Sequence, residues 1–256
     1  DWGATVRSRR AQAGNGVVKA AATMASPADC VKLRDAAGRG SEQVIIGMGA
    51  AGVVTRLCPW LYGSSWTYGG TAAPGQTTVA ELIDTYRVRT TGASTAIYAL
   101  IGAPLGHSAS PAMQNAGLAA LGLNWRYLAF EVNPTNLKSA IEGVQVMQFI
   151  EINLTVPHKL MALEMLDAVD EQARVWGAVN TIRFEGRDAG GEWAPLREFP
   201  ESPREVRSYG FNTDADAITR AVREDVGVNL KGAKVLMLGA GGAGRTAALK
   251  IASEEV

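Results

Sequence analysis

The sequence predicts an α/β protein, and three features carry that expectation. Short apolar runs alternate with helical patterns in a βαβα rhythm along most of the chain. The turn Gly239-Ala240-Gly241-Gly242-Ala243-Gly244 follows an apolar run and opens a helical pattern, the setting of a dinucleotide-binding turn. Glycine is abundant, 29 of 256 residues with only 7% aromatics, which suits many tight βα turns.

The elements follow in order. Val17 and Val18 read as a buried strand ending at Lys19. Pro27 to Ala37 reads as a helix, with Ser26 as N-cap and proline at the first helical position. Val44 to Ile46 is the next strand, ending in Gly47-Met48-Gly49. Trp66 to Tyr68 is a candidate strand and Val79 to Tyr86 a helix, so this part predicts a parallel sheet or barrel. The small, polar stretch Val88 to Thr95 reads as a linker.

A second series predicts strands at Ala96–Ile101, Tyr127–Val132, Phe149–Leu154 and Val179–Phe184. Helices are expected at Pro111–Leu121, closed by Gly122, then at Thr135–Gly143 and His158–Leu166. Arg187 to Ser208 has no clear period and reads as a surface excursion. Thr213 to Val226 reads as a helix, and Lys234 to Leu238 as the strand before the glycine turn.

Composition bounds the function classes. Lys plus Arg equals Asp plus Glu at 25 each, so nothing advertises a nucleic-acid or acidic-membrane partner. The apolar run Val44–Val54 is broken by glycines and too short to span a bilayer, and no signal-peptide pattern opens the chain. Two cysteines, Cys30 and Cys58, make no disulfide framework, so a reducing, cytoplasmic setting is expected. With two histidines besides, no metal cluster of credible spacing can be written. The chain starts at Asp1 and stops in a helical pattern, so a fragment of something longer, inactive by itself, is expected.

Four constellations carry chemistry. In the glycine turn, Gly239 permits the tight turn and Gly241 the approach of a pyrophosphate, with free N–H groups of the following helix facing the anion; close packing alone is the plain alternative. In Asn153-Leu154-Thr155-Val156-Pro157-His158-Lys159, polar side chains cluster beyond a strand's C-terminal end, where open α/β sheets bind ligands. A lysine there can exchange a proton with a substrate oxygen, though Lys159 alone also reads as an exposed helix-start residue. In Gly210-Phe211-Asn212-Thr213-Asp214, Asn212 or Thr213 suffices as a cap, and Asp214 suits either the helix N-terminus or a catalytic cation. In Gly102 to Pro111, Ser108 and Ser110 form a carboxylate cradle at a helix start, with N-capping as the alternative for Ser110; His107 reads as a turn residue.

With Gly177-Ala178-Val179-Asn180-Thr181 between them, these motifs occur in the order and approximate spacing of the shikimate dehydrogenase family, which the chain resembles from about Thr95 to its end. The resemblance implies NADPH-dependent reduction of 3-dehydroshikimate to shikimate, a step of chorismate and aromatic amino acid biosynthesis. It implies that Ser108 and Ser110 bind the shikimate carboxylate and that Thr155, Asn180 and Asp214 bind its hydroxyls. Lys159 becomes the acid/base residue paired with Asp214, and Gly239, Gly241, Gly242 and Gly244 the cradle of NADP. Ala215 stands where the family usually has glycine, and Arg187–Ser208 exceeds the usual hairpin.

The first ninety residues carry Val17-Val18-Lys19, Gly47-Met48-Gly49, Gly52, Thr55-Arg56, Gly63-Ser64, Thr67-Tyr68 and Ala73-Pro74-Gly75-Gln76. They resemble the C-terminal portion of a type I 3-dehydroquinate dehydratase, a (β/α)8 barrel that works through a lysine Schiff base. The resemblance makes Lys19 the nucleophile, Arg56 the fork on the 3-dehydroquinate carboxylate, and Gln76 part of the closing loop. Ala72 replaces the family's serine, and its upstream histidine has no counterpart, because the only histidines are His107 and His158.

The expected organisation is therefore the C-terminal part of a barrel over 1–90, an open α/β substrate-binding domain over 95–209, and the first βα unit of a Rossmann domain over 210–256. A catalytically inactive regulatory or quinate-sensing protein built on the same folds is the alternative. Retention of Lys159 with Asp214, and of Lys19 with Arg56, favours the enzyme.

Overall fold

Pro27, fixed at the φ of a first helical turn, and Asp29, whose carboxylate accepts the backbone N–H groups of Ala25 and Ser26, start a helix where the sequence places it. The computed structural model describes residues 2–38, 42–72 and 76–254. They fall in two compact units, Asp1–Ile150 and Glu151–Val256.

The first unit begins with α1 (Trp2–Ala13), β1 (Val18–Thr23), α2 (Pro27–Ala37) and β2 (Gln43–Met48). β1 and β2 pair in parallel from Val18↔Gln43 to Thr23↔Met48, one βαβ unit whose two strands form their own sheet. β2 supplies Val44, Ile45 and Ile46 to the core. At its end the backbone of Gly47 lies so close to Gly52 that a Cβ on Gly47 would meet the Gly52 Cα at 2.8 Å. The short α3 (Val54–Leu57) follows, then a 3-10 turn, Pro59–Tyr62.

The expected strand at Trp66–Tyr68 does not form. The chain touches β2 in a single bridge, Gln43↔Ser64, and then leaves it, so no ladder continues. The helix expected at Val79–Tyr86 appears as a helical turn that widens to π-type over Glu81–Thr85. Val88 to Thr95 is a well-anchored segment: the buried Arg126 guanidinium donates to the Tyr86 and Arg87 carbonyls and to the Thr90 hydroxyl.

β3 (Ala96–Gly102), α4 (Ser110–Ala120), β4 (Trp125–Glu131) and α5 (Leu137–Val146) complete the unit, within a few residues of the expected bounds. β3 and β4 pair in parallel from Ala96↔Trp125 to Gly102↔Glu131. Buried Asn115 ties α4 to β4, donating to the Tyr127 carbonyl and accepting the Tyr127 N–H. Phe130 and Phe149 pack at 5.8 Å, and burying each ring is worth roughly 1.5–3 kcal/mol. α2 crosses α5 where Gly143 has no side chain, since a Cβ there would stand 2.5 Å from the Ala28 nitrogen.

The second unit contains β5 (Glu151–Leu154), β6 (Ala168–Val169), α6 (Glu171–Trp176), β7 (Thr181–Arg187), β8 (Trp193–Pro195), β9 (Val206–Phe211), α7 (Asp214–Glu224) and α8 (Gly242–Ser253). β5, β7, β9 and β6 lie side by side in that order, with β8 against β7. β7 runs antiparallel to β5, β8 and β9, while β6 pairs with β9 in parallel, so the strands of this unit are mixed where a further βα series was expected. The reason is the connection: β7 returns to β9 through the 187–208 segment without a crossover helix. The excursion read from the sequence carries one strand of its own, β8, paired to β7 at Gly186↔Ala194.

Two more expectations change here. His158–Leu166 forms only a 3-10 turn, Met161–Glu164, because the Lys159 carbonyl accepts the Val179 N–H at 2.8 Å instead of a helical partner. Lys234–Leu238 is not a strand: no described segment pairs with it, and Leu236 and Leu238 are more than four-fifths exposed. The helix of the expected βα unit does form, as α8.

Candidate active site

In the second unit, β5 ends at Leu154 and β7 begins at Thr181, so Asn153, Thr155 and Asn180 cluster at one end of the sheet. Asn153 donates to the Thr181 hydroxyl at 3.1 Å. Lys159 reaches the first turn of α7, where its Nζ stands 2.6 Å from Oδ2 of Asp214. The lysine side chain is 16% exposed and the aspartate 26%, so the pair opens to solvent on one side while most of it is shielded. Asn180 donates to the other Asp214 oxygen at 2.7 Å and to the Thr213 hydroxyl at 2.9 Å, and its carbonyl accepts the Thr213 N–H. Asp214 is therefore held by a cation and an amide together, with its direction fixed.

Asn212, expected as a possible cap, is the cap: its Oδ1 accepts the N–H groups of Asp214 and Ala215 at the start of α7. Thr213 occupies the N-cap position without a side-chain cap bond.

The glycine turn closes as its sequence requires. Gly239 has φ of +110°, and a Cβ on Gly244 would stand 2.3 Å from the Gly239 carbonyl oxygen. Gly241 faces open space, and Gly242 opens α8. Met237, Gly239, Ala240, Gly244, Arg245, Ala248 and Leu249 line the adjacent hollow. Bare backbone at a helix start, kept clear of side chains, suits a phosphate group. The start of α8 also leans on the lysine, since a Cβ on Gly242 would be 3.1 Å from the Lys159 Cβ.

Ser108 and Ser110 belong to the first unit, at the start of α4. The Ser108 hydroxyl accepts the Ser110 N–H at 3.3 Å, so Ser108 does part of the capping ascribed above to Ser110. His107 is exposed in the preceding turn, and His158 is fully buried.

Also in the first unit, Lys19 is exposed on β1 with its Nζ 4.2 Å from the Tyr68 ring centre, a cation–π contact. Arg56 is buried, with Nη1 donating to the Gly47 carbonyl at 2.6 Å. Gln76 approaches Gly70, and the Ala73-Pro74-Gly75 part of that motif lies outside the described residues. Among the described residues no cluster of His, Cys, Asp and Glu could hold a metal ion, and no helix is long and apolar enough to cross a membrane.

Two residues of this neighbourhood, Thr246 and Arg245, escape a reading of the sequence, and one contact of the Thr181 motif does too. Thr246 bonds Asn212, Arg245 lies across Gly177, and Thr181 receives Asn153. Each contact joins segments far apart in the chain, and no local pattern marks it.

The second unit thus joins a lysine–aspartate pair at the end of a mixed sheet to a glycine turn that opens the helix beside it. Residues 100–182 match the family model of the shikimate dehydrogenase substrate binding domain, and residues 1–93 that of type I 3-dehydroquinase. Shikimate dehydrogenase (NADP(+)) of Methanopyrus kandleri is 40% identical over 162 residues, 63% of this chain and 49% of that protein. The crystal structure of shikimate dehydrogenase from Aquifex aeolicus superposes with a TM-score of 0.53 at 36% identity, covering 64% of this chain and 54% of that one. The Thermus thermophilus shikimate 5-dehydrogenase, solved with NADP(H) and shikimate, superposes with a TM-score of 0.50 at 35% identity, covering 62% of this chain and 52% of that one. The chain spans about half the length of the curated relatives it matches.

Proposed function

We propose that the chain carries the substrate side of an NADP-dependent shikimate dehydrogenase, with residues 95–209 as its substrate-binding domain and 210–256 as the start of its nucleotide-binding domain. The observation that carries the reading is the Lys159–Asp214 pair at 2.6 Å. When bound, NADP supplies the hydride chemistry. The residues for it are the backbone of Gly239, Gly241, Gly242 and Gly244, with open space beside Gly239 and Gly241 for a phosphate.

The chain's own residues supply binding and the proton. Ser108 and Ser110 hold the substrate carboxylate, and Thr155, Asn180 and Asp214 its hydroxyls. In the reductive direction Lys159 gives a proton to the oxygen of the 3-dehydroshikimate carbonyl as it becomes a hydroxyl. In the oxidative direction it takes that proton back. Asp214 keeps the lysine aimed and balances its charge in the ammonium form. Asn180 already spends its amide on Thr213 and Asp214, so its service to substrate accompanies a rearrangement of those bonds.

The test is Lys159→Ala in the protein at its full length. NADP-dependent oxidation of shikimate should fall roughly 100- to 10,000-fold, while shikimate binding is largely kept. Near-normal turnover would remove Lys159 from the mechanism.

A second reading concerns residues 1–90, proposed as part of a 3-dehydroquinate dehydratase barrel, with β1-α2-β2 as one of its repeats. The match of residues 1–93 to the type I 3-dehydroquinase model and the exposed amine of Lys19 support it; Lys19 is the second residue of β1, so the strand runs on past it to Thr23 instead of ending there as the sequence suggested. Borohydride added to the full-length protein with 3-dehydroquinate should fix a ligand mass on Lys19. Absence of that adduct would sink the Schiff-base reading. The two activities are consecutive, because dehydration yields the 3-dehydroshikimate that the other region reduces.

A further inference from the structure

We infer that Asn212 is a positioning residue that locks α8 and its glycine turn to the Lys159–Asp214 pair. The inference rests on the dehydrogenase reading above and goes beyond helix capping.

A side-chain amide has two N–H donors and an oxygen that accepts twice. In Asn212 all four capacities are used. The oxygen caps α7, accepting from Asp214 N at 3.0 Å and Ala215 N at 3.3 Å. The nitrogen turns the other way, donating to the Ala178 carbonyl at 2.9 Å and to the Thr246 hydroxyl at 3.0 Å. One side chain thus joins three segments: the start of α7, the loop into β7, and the second turn of α8.

Each segment carries part of the site. Asp214 is the first residue of α7. Ala178 lies two residues before Asn180, which grips the second Asp214 oxygen. Thr246 is wholly buried on α8, the helix that the glycine turn opens. Two further contacts press α8 to the same place, with Gly242 against Lys159 and the Arg245 guanidinium across Gly177, where a Cβ would meet it at 2.8 Å.

Capping alone does not explain this arrangement. Serine, threonine or aspartate would cap α7 equally well. None of them offers two N–H donors on the opposite side. An aspartate would also set a carboxylate against the Ala178 carbonyl. The bridging half of the amide fixes where the nucleotide-binding backbone lies relative to the proton-transferring lysine. Transfer between two bound reactants is steeply sensitive to such placement.

The experiment separates the two halves of the amide in the full-length protein. Asn212→Ser keeps a cap and loses the bridge, and Thr246→Val loses the bridge without touching the cap. Both should lower kcat for shikimate oxidation roughly 10- to 100-fold with KM little changed. Both should raise the deuterium isotope effect measured with shikimate labelled at the reacting carbon. Thr246→Ser, which retains the hydroxyl, should restore both values. Unchanged kcat and isotope effect in Asn212→Ser and Thr246→Val would overturn the inference.

If the unaltered protein fails to oxidise shikimate, or Lys159→Ala leaves turnover intact, the dehydrogenase reading fails instead. Amide hydrogen exchange then decides the joint by itself. Thr246→Val should speed exchange in α8 while the capped amides of Asp214 and Ala215 keep their protection. Equal protection of α8 in variant and unaltered protein would refute the joint.

Discussion

Gly242 lies directly against the side chain of Lys159, so close that a methyl group on the glycine would come 3.1 Å from the lysine Cβ. The turn that suits a phosphate and the residue proposed to move the proton are therefore in contact. A neighbour at that distance must give by a few tenths of an ångström, whereas Gly244 faces the Gly239 carbonyl at 2.3 Å and has no room. Gly242→Ala should retain NADP binding within a few-fold and lower kcat through the displaced lysine. Gly244→Ala should abolish NADP binding by opening the turn. Fluorescence titration with NADPH, set beside turnover, distinguishes the two, and equal binding by both variants would refute the assignment.

Asn180 is the second support of Asp214. Asn180→Ala removes the donors to Asp214 and Thr213 and leaves the Thr213 N–H without its acceptor. Loss of a hydrogen bond to a charged group costs about 1.5–3 kcal/mol. Urea unfolding should show a loss of that size. Asn180→Asp, which keeps the acceptor but adds a charge beside Asp214, should lose at least as much.

The contact of α2 with α5 makes a stability prediction for the first unit. Gly143→Ala would force its Cβ into backbone atoms of Ala28, which cannot move away as a flexible side chain can. Overpacking of this kind costs roughly 1–3 kcal/mol. The Tm should drop accordingly. Tyr62, which donates to the Met147 sulfur at 3.3 Å just beyond the helix, should lose that contact in the same variant.

Glu151 supplies a pH dependence. Burial raises its carboxyl above the usual range, partly offset by Arg197 and Arg183. The folded chain then holds this proton more tightly than the unfolded chain does. Its contribution to stability is complete below the unfolded value, about 4.3, and declines as pH rises through the folded value. Glu151→Gln removes that decline. The variant's gain over the unaltered protein in urea midpoint should grow between about pH 4 and pH 7, and a constant difference would contradict the burial argument.

Much of the first unit is legible along the chain. The bounds of α2 follow from Ser26, Pro27 and Asp29, and β3 with α4 from an apolar run and a serine–proline start. These signals act within one or two turns of backbone. Trp66–Tyr68 and Lys234–Leu238 look equally strand-like, yet neither pairs among the described residues, because β-propensity acts only where a neighbouring strand supplies hydrogen bonds. His158–Leu166 has helical spacing, but the Lys159 carbonyl is taken by Val179, twenty residues away.

The sequence by itself determined which groups the site contains: a lysine after a strand end, an Asn-Thr-Asp triplet at a helix start, and a glycine turn whose close backbone contact permits no side chain at Gly244. It also determined the caps and tight turns, since those depend on φ, side-chain length and neighbours a few residues away. Only the tertiary structure decided that Lys159 meets Asp214 across 55 residues, that β7 runs antiparallel to its neighbours, and that the second half of the Asn212 amide reaches Thr246. Contacts of that range are fixed by how the sheet pairs and how α7 and α8 pack, and those depend on the whole second unit at once.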